Sequence, residues 1–280
     1  TFGQKDFGEP AKINLADYER SGEGFNAESY NHKGGRTMIK LYSESVSPEM
    51  PLRELRTAMN VFRMGLLTPM PGRFVTDGER FGCEFSRVVD KKSFARAISE
   101  NPDSMKRYAA EFARMCKQLH STVCNPAVFP SAVDMSCKAV ENAEIFTDDE
   151  KKKVLAFVKS IPPATTCLHG DLHIGNILDS SFGNLWIDLA DFSYGNPLFD
   201  FGMMYLVCRC NPDDLTKKLY HIDNAAMLKF WEMFACEYFG ADTPEKLAKV
   251  ENKLRPFAAL KMLYFGIKGH DDFIRESLLG

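Results

Sequence analysis

The sequence changes character near residue 86, and this change constrains the fold more than any other feature. Before it, short apolar runs are separated by glycine turns, a pattern typical of hairpins. After it, apolar side chains recur at helical spacing. A strand-rich segment followed by a helical one predicts an α+β fold. We expect two lobes: residues 1–86 form a small lobe of a sheet plus a helix, and residues 87–280 form a larger, mostly helical lobe.

The small lobe is expected to follow the order strand-strand-strand-helix-strand-strand. Its strands are predicted at residues 17–21, 27–31, 37–42, 73–76 and 81–86. Its helix is predicted to start with Ser47 as the N-cap and Pro48 at the first helical position, and to run through Arg63. In the larger lobe, Thr147 and Glu150 form the pattern of a capping box, which predicts a helix start there.

The composition excludes several classes of function. The chain has 280 residues and a formal net charge of -3, from 35 Lys and Arg against 38 Asp and Glu. It therefore lacks the basic surface that binds nucleic acid or an anionic membrane. No apolar run reaches membrane-spanning length, and we expect no secretory segment. Its eight cysteines suit a reducing compartment, because a chain of this size needs no disulfide framework. We expect a cytoplasmic protein without a nucleic-acid or membrane partner, and its oligomeric state stays open.

The densest concentration of His, Asp, Gly and Asn lies in a non-helical island, residues 165–201. Two short apolar strands, joined by a turn, carry polar side chains at their outer ends: Asn176 begins the first strand and Asp188 follows the second. Asp171 precedes Asn176 by five positions, in a loop that contains glycines. If the two strands pair, these three side chains come together at one end of the hairpin.

The chemistry that suits this set of side chains is phosphoryl transfer. That reaction needs little covalent help from the protein, mainly a positioned base for the attacking hydroxyl and oxygen ligands for magnesium. A carboxylate and an amide carbonyl are such ligands, and water and phosphate oxygens complete the octahedron around the metal. The island therefore indicates a phosphate-transfer site.

The segments HGDLHIGN and WID resemble the catalytic and metal-binding signature of the aminoglycoside phosphotransferase and choline kinase superfamily, which shares the protein-kinase-like fold. The resemblance extends over most of the chain. It implies that Asp171 is the catalytic base and that Asn176 and Asp188 bind the metal. It also implies that Asp200, in the sequence FDF, is a structural residue at a helix start.

The same resemblance implies the reaction and its cofactors. Such an enzyme would use ATP and Mg²⁺ to move the γ-phosphate to a hydroxyl of a small molecule, such as an aminoglycoside, an amino alcohol or a sugar-like acceptor. Residues 1–86 would then be the nucleotide-binding lobe, and residues 87–280 the catalytic and substrate-binding lobe. The sequence does not distinguish between these acceptors, or between ATP and GTP.

A second aspartate competes with Asp188 for the metal. Asp191 begins the sequence DFS, which imitates the metal-binding motif of protein kinases. We prefer Asp188, because it directly follows the apolar run LWI and keeps the family's distance from Asn176. Asp191 is then a nearby acidic residue that faces the substrate or caps a turn.

The small lobe should hold the matching phosphate-binding residues. Lys40, in the sequence MIKLY of the third strand, looks like the lysine that grips the α- and β-phosphates in this superfamily. Glu54, in the following helix, looks like its ion-pair partner. Glu44 and Glu49 compete for that role.

Two further segments of the small lobe match the family less closely. The glycine-containing loop at residues 21–26 departs from the GxGxxG of protein kinases, although it lies between the first two strands, where a phosphate-covering loop belongs. Residues 83–88 resemble the hinge of the family. There, backbone groups near Glu84 and Ser86 would read adenine.

The alternating residues His169, Asp171 and His173 permit a rival interpretation, a metallohydrolase. Such a site needs further histidines, and those elsewhere in the sequence are not clustered. We therefore expect structural roles for two histidines: His120 closes an amphipathic helix and makes a buried hydrogen bond, and His169 orients the catalytic loop.

Two other functions remain as alternatives. A kinase-like binding or regulatory protein without catalysis would explain the irregular glycine loop. A protein kinase is opposed by Gly170, which stands where many protein kinases have an arginine. It is also opposed by the short stretch of residues 188–200, which leaves little room for an activation segment.

The charge near the expected acceptor site favours a cationic alcohol over an anionic one. In relatives the C-terminal helix covers this site, and here it carries Asp271, Asp272 and Glu276 beside the aspartates of the island. A cluster of carboxylates attracts an ammonium group. Two observations oppose this prediction: the two aspartates also fit a simple helix cap, and three basic side chains could reach the same cleft, namely Arg209, Arg255 and Lys261.

Overall fold

The structure is a computed structural model that describes residues 7–23 and 26–280. Its strands are β1 (Ala11–Lys12), β2 (Tyr18–Glu23), β3 (Ala27–His32), β4 (Thr37–Tyr42), β5 (Pro71–Thr76), β6 (Phe81–Ser86), β7 (Lys92–Ser93), β8 (Cys167–Leu168), β9 (Ile177–Ser180), β10 (Gly183–Trp186) and β11 (Ser193–Tyr194). Its α-helices are α1 (Glu49–Arg63), α2 (Phe94–Glu100), α3 (Met105–Ser121), α4 (Ala132–Asn142), α5 (Asp148–Ser160), α6 (Leu198–Tyr205), α7 (Asp213–Tyr220), α8 (Asn224–Phe239), α9 (Pro244–Phe265) and α10 (Asp271–Leu279). These elements confirm the predicted α+β class.

The described residues divide into two compact units. The first unit runs to Lys92 and includes Ile177–Asp191, and the second unit comprises Ser93–Asn176 and Phe192–Gly280. The division into functional lobes at residue 86 stays a prediction. Of the glycine-containing loop at 21–26, residues 24 and 25 lie outside the described residues.

In the first unit, the strands of the main sheet lie in the order β1-β5-β6-β4-β3-β2. Neighbouring strands are antiparallel, except that β1 pairs with β5 in parallel. The register places Lys40 of β4 between Ser29 of β3 and Cys83 of β6. Gly82 allows β6 to lie close to β4, because a Cβ at this position would collide with the carbonyl oxygen of Lys40. Lys40 is therefore carried by the interior of the sheet.

Helix α1 packs against strands β5 and β6 of the main sheet. It begins at Glu49, with Pro48 as the N-cap residue, one position later than predicted. Its buried apolar side chains recur every three residues, as expected for an amphipathic helix: Leu52, Leu55, Ala58 and Val61. Glu54 lies in the same helix and is also buried.

Strands β9 and β10 form the predicted hairpin of the first unit. Ile177 pairs with Trp186, and Ser180 pairs with Gly183. Gly183 has φ 111°, the left-handed region that a tight turn requires and glycine adopts easily. Asn176 immediately precedes β9, and Asp188 follows β10 by two residues.

The second unit is built from helices with an aromatic core. Helix α6 lies directly against α9, since a Cβ at Gly202 would fall 2.6 Å from the backbone carbon of Phe257. The predicted capping box is present: the Thr147 hydroxyl accepts from the backbone of Glu150, and the Glu150 side chain accepts from the backbone of Thr147. Within the part of the chain that the structure describes, no helix is both long and apolar enough to cross a membrane.

Candidate active site

In the first unit, Lys40 is held by two carboxylates. Its Nζ donates to Glu54 Oε1 at 3.0 Å and also to Asp188 Oδ1. The other carboxylate oxygen of Glu54 accepts a hydrogen bond from the Tyr42 hydroxyl. Glu54 is 2% exposed, whereas the Lys40 side chain remains 21% exposed. The sheet and α1 thus present one fixed ammonium group, with Glu54 as the carboxylate that α1 supplies.

The charges around Lys40 fix its protonation state. Burial by itself would lower the pKa of Lys40, but Asp188 and Glu54 reverse this effect and hold its pKa well above its ordinary value. The pKa of Tyr42 is also raised, by burial first and then by the Glu54 carboxylate. Tyr42 therefore stays a neutral donor. Lys40 is a permanent cation that suits the binding of an anion such as a phosphate.

Asp188 and Asp191 differ in their surroundings. Asp188 adopts φ 56°, in the left-handed region that Asp tolerates better than most residues, and its carboxylate contacts Lys40. Asp191 ends a 3₁₀ turn and lies 3.6 Å from Nη2 of Arg53 on α1. The lysine predicted to bind phosphate therefore contacts the carboxylate that we preferred.

The two predicted hinge residues lie at the end of β6. The Glu84 carboxylate accepts from Arg73 Nε at 3.0 Å and Nη2 at 2.8 Å. The backbone N–H of Ser86 donates to the Met70 carbonyl oxygen at 2.8 Å, and its hydroxyl accepts from the Met70 N–H at 2.8 Å. Their role in reading adenine stays a prediction. Because the Ser86 N–H is already bonded, that role would depend on carbonyl oxygens or on the residues after β6.

In the second unit, Asp171 lies in the loop that follows β8. Asn176 Nδ2 donates to both the carbonyl oxygen of Asp171, at 2.9 Å, and its carboxylate Oδ2, at 3.1 Å. His173 Nε2 lies 3.5 Å from Asp171 Oδ1, and His173 Nδ1 accepts from the Gly175 N–H at 3.1 Å. The predicted base and one predicted metal ligand are therefore direct neighbours.

Asp200 anchors the loop of Asp171 from helix α6. Its carboxylate accepts the backbone N–H groups of His169 and Gly170, each at 2.8 Å. It also lies 3.0 Å from His120 Nε2, which confirms the buried hydrogen bond expected of His120. Asp200 is fully buried, and burial would raise its pKa, yet His120, Lys261 and His169 keep that pKa below its ordinary value. Asp200 is thus an ionised anchor for the loop as well as a residue of the first turn of α6.

The charge state of Asp171 follows from the same cluster. Burial would raise its pKa, but His173 chiefly, with His169 and Lys261, holds its pKa well below its ordinary value. Its side chain keeps 27% of its surface exposed. Asp171 is therefore an ionised, accessible carboxylate, which can accept a hydrogen bond or a proton from a hydroxyl group.

Sequence reasoning missed two contributors to these arrangements. Tyr42, which bonds Glu54, has no distinguishing signal in the sequence. Lys261 was named only as a basic side chain that could reach the acceptor cleft, but it is 8% exposed and its Nζ donates to the carbonyl oxygen of Gly170. Its position within the apolar run AALKML of α9 was the available signal of burial.

The donor atoms decide which metal could bind. Among the residues that the structure describes, no group of three or more His, Cys, Asp or Glu side chains could hold a metal ion. Asn176 uses its Nδ2 on Asp171, so its Oδ1 is the atom that a metal ion could bind. An amide oxygen and the Asp188 carboxylate are oxygen donors of the kind that Mg²⁺ prefers. The residues present therefore fit Mg²⁺.

Comparison with solved structures identifies the fold. The ternary complex of APH(2'')-IIa with streptomycin and ATP is 15% identical, with a TM-score of 0.54, covering 94% of this chain and 91% of that chain. A choline/ethanolamine kinase family protein from Mesorhizobium loti is 15% identical, with a TM-score of 0.50, covering 98% and 87%. The GDP and kanamycin complex of APH(2'')-IIIa is 16% identical, with a TM-score of 0.53, covering 95% and 91%. These likenesses confirm the protein-kinase-like fold.

Comparison with protein families identifies the relationship. A search of the curated proteins gives no match. The model of the phosphotransferase enzyme family, APH, matches residues 22–228, which is most of the chain and includes the HGD loop and both predicted metal ligands. The chain therefore belongs to the phosphotransferase enzyme family.

Proposed function

We propose that the protein is an ATP-dependent small-molecule kinase that transfers the γ-phosphate to a hydroxyl group. The observation that carries this proposal is the state of Asp171. It is an ionised carboxylate fixed by Asn176, in a loop anchored by Asp200. A base for an attacking hydroxyl needs a fixed position and an accessible carboxylate. Asp171 is fixed by Asn176, and its side chain keeps part of its surface exposed.

Each remaining residue has a role in this proposal. Lys40, fixed by Glu54, binds the α- and β-phosphates, and Asn176 and Asp188 hold Mg²⁺. The metal would neutralise charge on the phosphates when bound. Asp171 orients the acceptor hydroxyl and takes its proton as the bond to the γ-phosphorus forms, while the bond from that phosphorus to the β-phosphate oxygen breaks and ADP leaves. Positioning and electrostatics then account for most of the rate.

The nucleotide and acceptor classes are inferred from the relatives. One similar structure contains ATP and streptomycin, and another contains GDP and kanamycin. We propose ATP as the donor, with GTP as the alternative to be measured. Aminoglycosides, amino alcohols and related hydroxyl compounds are the acceptors to be tested first.

Most of the acidic side chains behind the predicted preference for a cationic acceptor have other roles in the structure. Glu276 lies 3.5 Å from Arg255 Nη2, which offsets its charge, and Asp271 and Asp272 occupy the first turn of α10, as a simple cap would. Lys261 is directed at a backbone carbonyl. The cationic preference therefore depends mainly on the exposed part of Asp171.

A phosphorylation screen tests the proposed function. The protein is incubated with Mg²⁺ and γ-labelled ATP or GTP, over a panel of cationic, neutral and anionic alcohols. Asp171→Asn should still fold, as measured by circular dichroism, and lose about 10²–10⁴-fold in turnover, as for loss of a positioned base. Asp149→Asn, at an exposed position, is the matched control. Near-wild-type transfer by Asp171→Asn would remove this residue from the mechanism.

The same screen separates the alternatives. A kinase-like binding protein would bind nucleotide and give no transfer to any acceptor. A protein kinase would label a peptide or protein and leave the alcohols unlabelled. Label on small alcohols that depends on Asp171 supports the proposal over both.

A further inference from the structure

Lys261 is a buried cation that the proposed mechanism does not use. It lies on α9 and is 8% exposed, so its ammonium group has little contact with water. A buried ammonium group is costly unless it is bonded and has opposite charge nearby. Its Nζ donates to the carbonyl oxygen of Gly170, which is 91 positions away in the sequence. The charge also acts on the carboxylates of Asp171 and Asp200.

The backbone of Gly170 is bonded by side chains from outside its loop. It adopts φ 86°, and glycine has a wide choice of backbone conformations. Its N–H donates to Asp200 Oδ1 at 2.8 Å, and its carbonyl oxygen accepts from Lys261. The next N–H, that of Asp171, donates to His169 Nδ1 at 3.3 Å. The peptide group that joins Gly170 to Asp171 is therefore bonded by His169 at its N–H and by Lys261 at its carbonyl oxygen, and Lys261 is the one of these two side chains that comes from outside the loop.

We propose that Lys261 is a positioning residue, which fixes the Gly170–Asp171 peptide and so sets the direction in which the Asp171 carboxylate is presented. The inference rests on the proposed role of Asp171. Asp200 holds the peptide before Gly170, and Lys261 holds the peptide after it. The two anchors come from different helices, α6 and α9, and together they restrict rotation at the glycine.

Removal of the ammonium group should release this peptide. In Lys261→Met the side chain keeps a similar length, but the Gly170 carbonyl oxygen loses its donor. Rotation of the peptide then becomes easier, and Asp171 samples other directions. Misplacement of a catalytic group by about 1 Å can cost roughly 10²-fold in rate. Lys253→Met, at an exposed position of the same helix, is the matched control.

Hydrogen exchange tests the positioning role without reference to activity. The N–H groups of His169, Gly170 and Asp171 should exchange about tenfold faster or more in Lys261→Met than in wild type, because a buried carbonyl is left unbonded. Lys253→Met should exchange as wild type does. Unchanged exchange in the loop would overturn the proposal, and so would an equal increase throughout the second unit. If Lys261→Met is not recovered folded, Lys261→Gln, which keeps a shorter donor, is judged by the same criteria.

A double-mutant cycle tests whether Lys261 acts through Asp171. With an accepted substrate, Lys261→Met should lower kcat roughly 10- to 100-fold, with the KM for nucleotide within about twofold of wild type. In the Asp171→Asn background the same change should cost less than about twofold. Equal losses in both backgrounds would overturn the proposal. If wild type transfers no phosphate, the proposed function fails, while hydrogen exchange still decides the role of Lys261 in the loop.

Discussion

Replacement of Asp200 by Asn should destabilise the protein, for a reason that the geometry makes specific. The carboxylate of Asp200 accepts two backbone N–H groups, one on each oxygen, and the oxygen that serves His169 also faces His120 Nε2. An asparagine has only one oxygen. In either orientation of the amide, its NH₂ group faces one of the two backbone donors, of His169 or of Gly170. One buried N–H is therefore left without an acceptor.

The expected loss of stability follows from the one buried N–H group that is left without an acceptor. An unsatisfied buried donor costs about 1–3 kcal/mol, and loss of the negative charge weakens the remaining bonds, so we expect a total of about 2–4 kcal/mol. For a chain of this size, each kcal/mol corresponds to roughly 2–4 °C in melting temperature, which gives a decrease of about 4–16 °C. Asp149→Asn is the control: its side chain is 85% exposed and its ion pair with Lys152 is on the surface. We expect a change below about 1 kcal/mol there.

Thermal denaturation across pH completes the test. The pKa of Asp200 is lowered in the folded protein. Its ionised form therefore stabilises the fold at pH values above the unfolded-state pKa of about 4. This contribution is lost as the pH falls through the lower, folded-state pKa. The difference between wild type and Asp200→Asn should be constant from about pH 6 to 8 and become smaller below about pH 4. A variant that melts within about 1 °C of wild type at pH 7 would refute this account of the anchor.

Three further predictions address the candidate site. Mg²⁺ with ATP should raise the melting temperature. Asp188→Ala should lose the magnesium-dependent part of that rise, whereas Asp191→Ala should keep it. The reverse result would assign the metal to Asp191. Glu54→Gln should weaken ATP binding about 5- to 50-fold by calorimetry, because Lys40 loses a charge-assisted bond, and unchanged affinity would contradict that role. The pH dependence of turnover should show no ionisation of Asp171 or Lys40 between about pH 6 and 8, because the pKa of Asp171 is lowered and the pKa of Lys40 is raised. A change of rate with pH in that range that Asp171→Asn abolishes would contradict this.

The parts of the fold with strong local signals were predictable from the sequence. The glycine turns marked strands β2 to β6 of the main sheet but not the short edge strand β1, and the capping box at Thr147 marked α5. The hairpin of β9 and β10 was predictable because two apolar runs flank a turn of Ser, Phe and Gly. Helix α1 begins one residue after the predicted position, within the turn that Pro51 left open, because Pro48 fits both the N-cap and the first helical position.

The parts of the site that depend on distant contacts were less accessible. The pairing of Lys40 with Glu54 was predicted through a family resemblance, since nothing in the local sequence separates Glu54 from Glu44 or Glu49. The bond from Lys261 to Gly170 joins residues 91 positions apart, and no local pattern specifies it. Such contacts are set by how α9 packs on α6, which close approach at Gly202 permits.

The lowered pKa of Asp171 has a consequence for the chemistry. A carboxylate with so low a pKa is a weak base, and it cannot remove the proton of an alcohol before the reaction begins. In the proposed mechanism its use lies in orientation. The ionised oxygen would accept a hydrogen bond from the hydroxyl and would take the proton only when the new bond to phosphorus has made that proton acidic. Phosphoryl transfer through a loose transition state does not require a stronger base, because the attacking oxygen gains little charge until late in the reaction. The groups around Asp171 therefore serve the reaction by keeping the carboxylate ionised and fixed in direction, at the expense of its strength as a base.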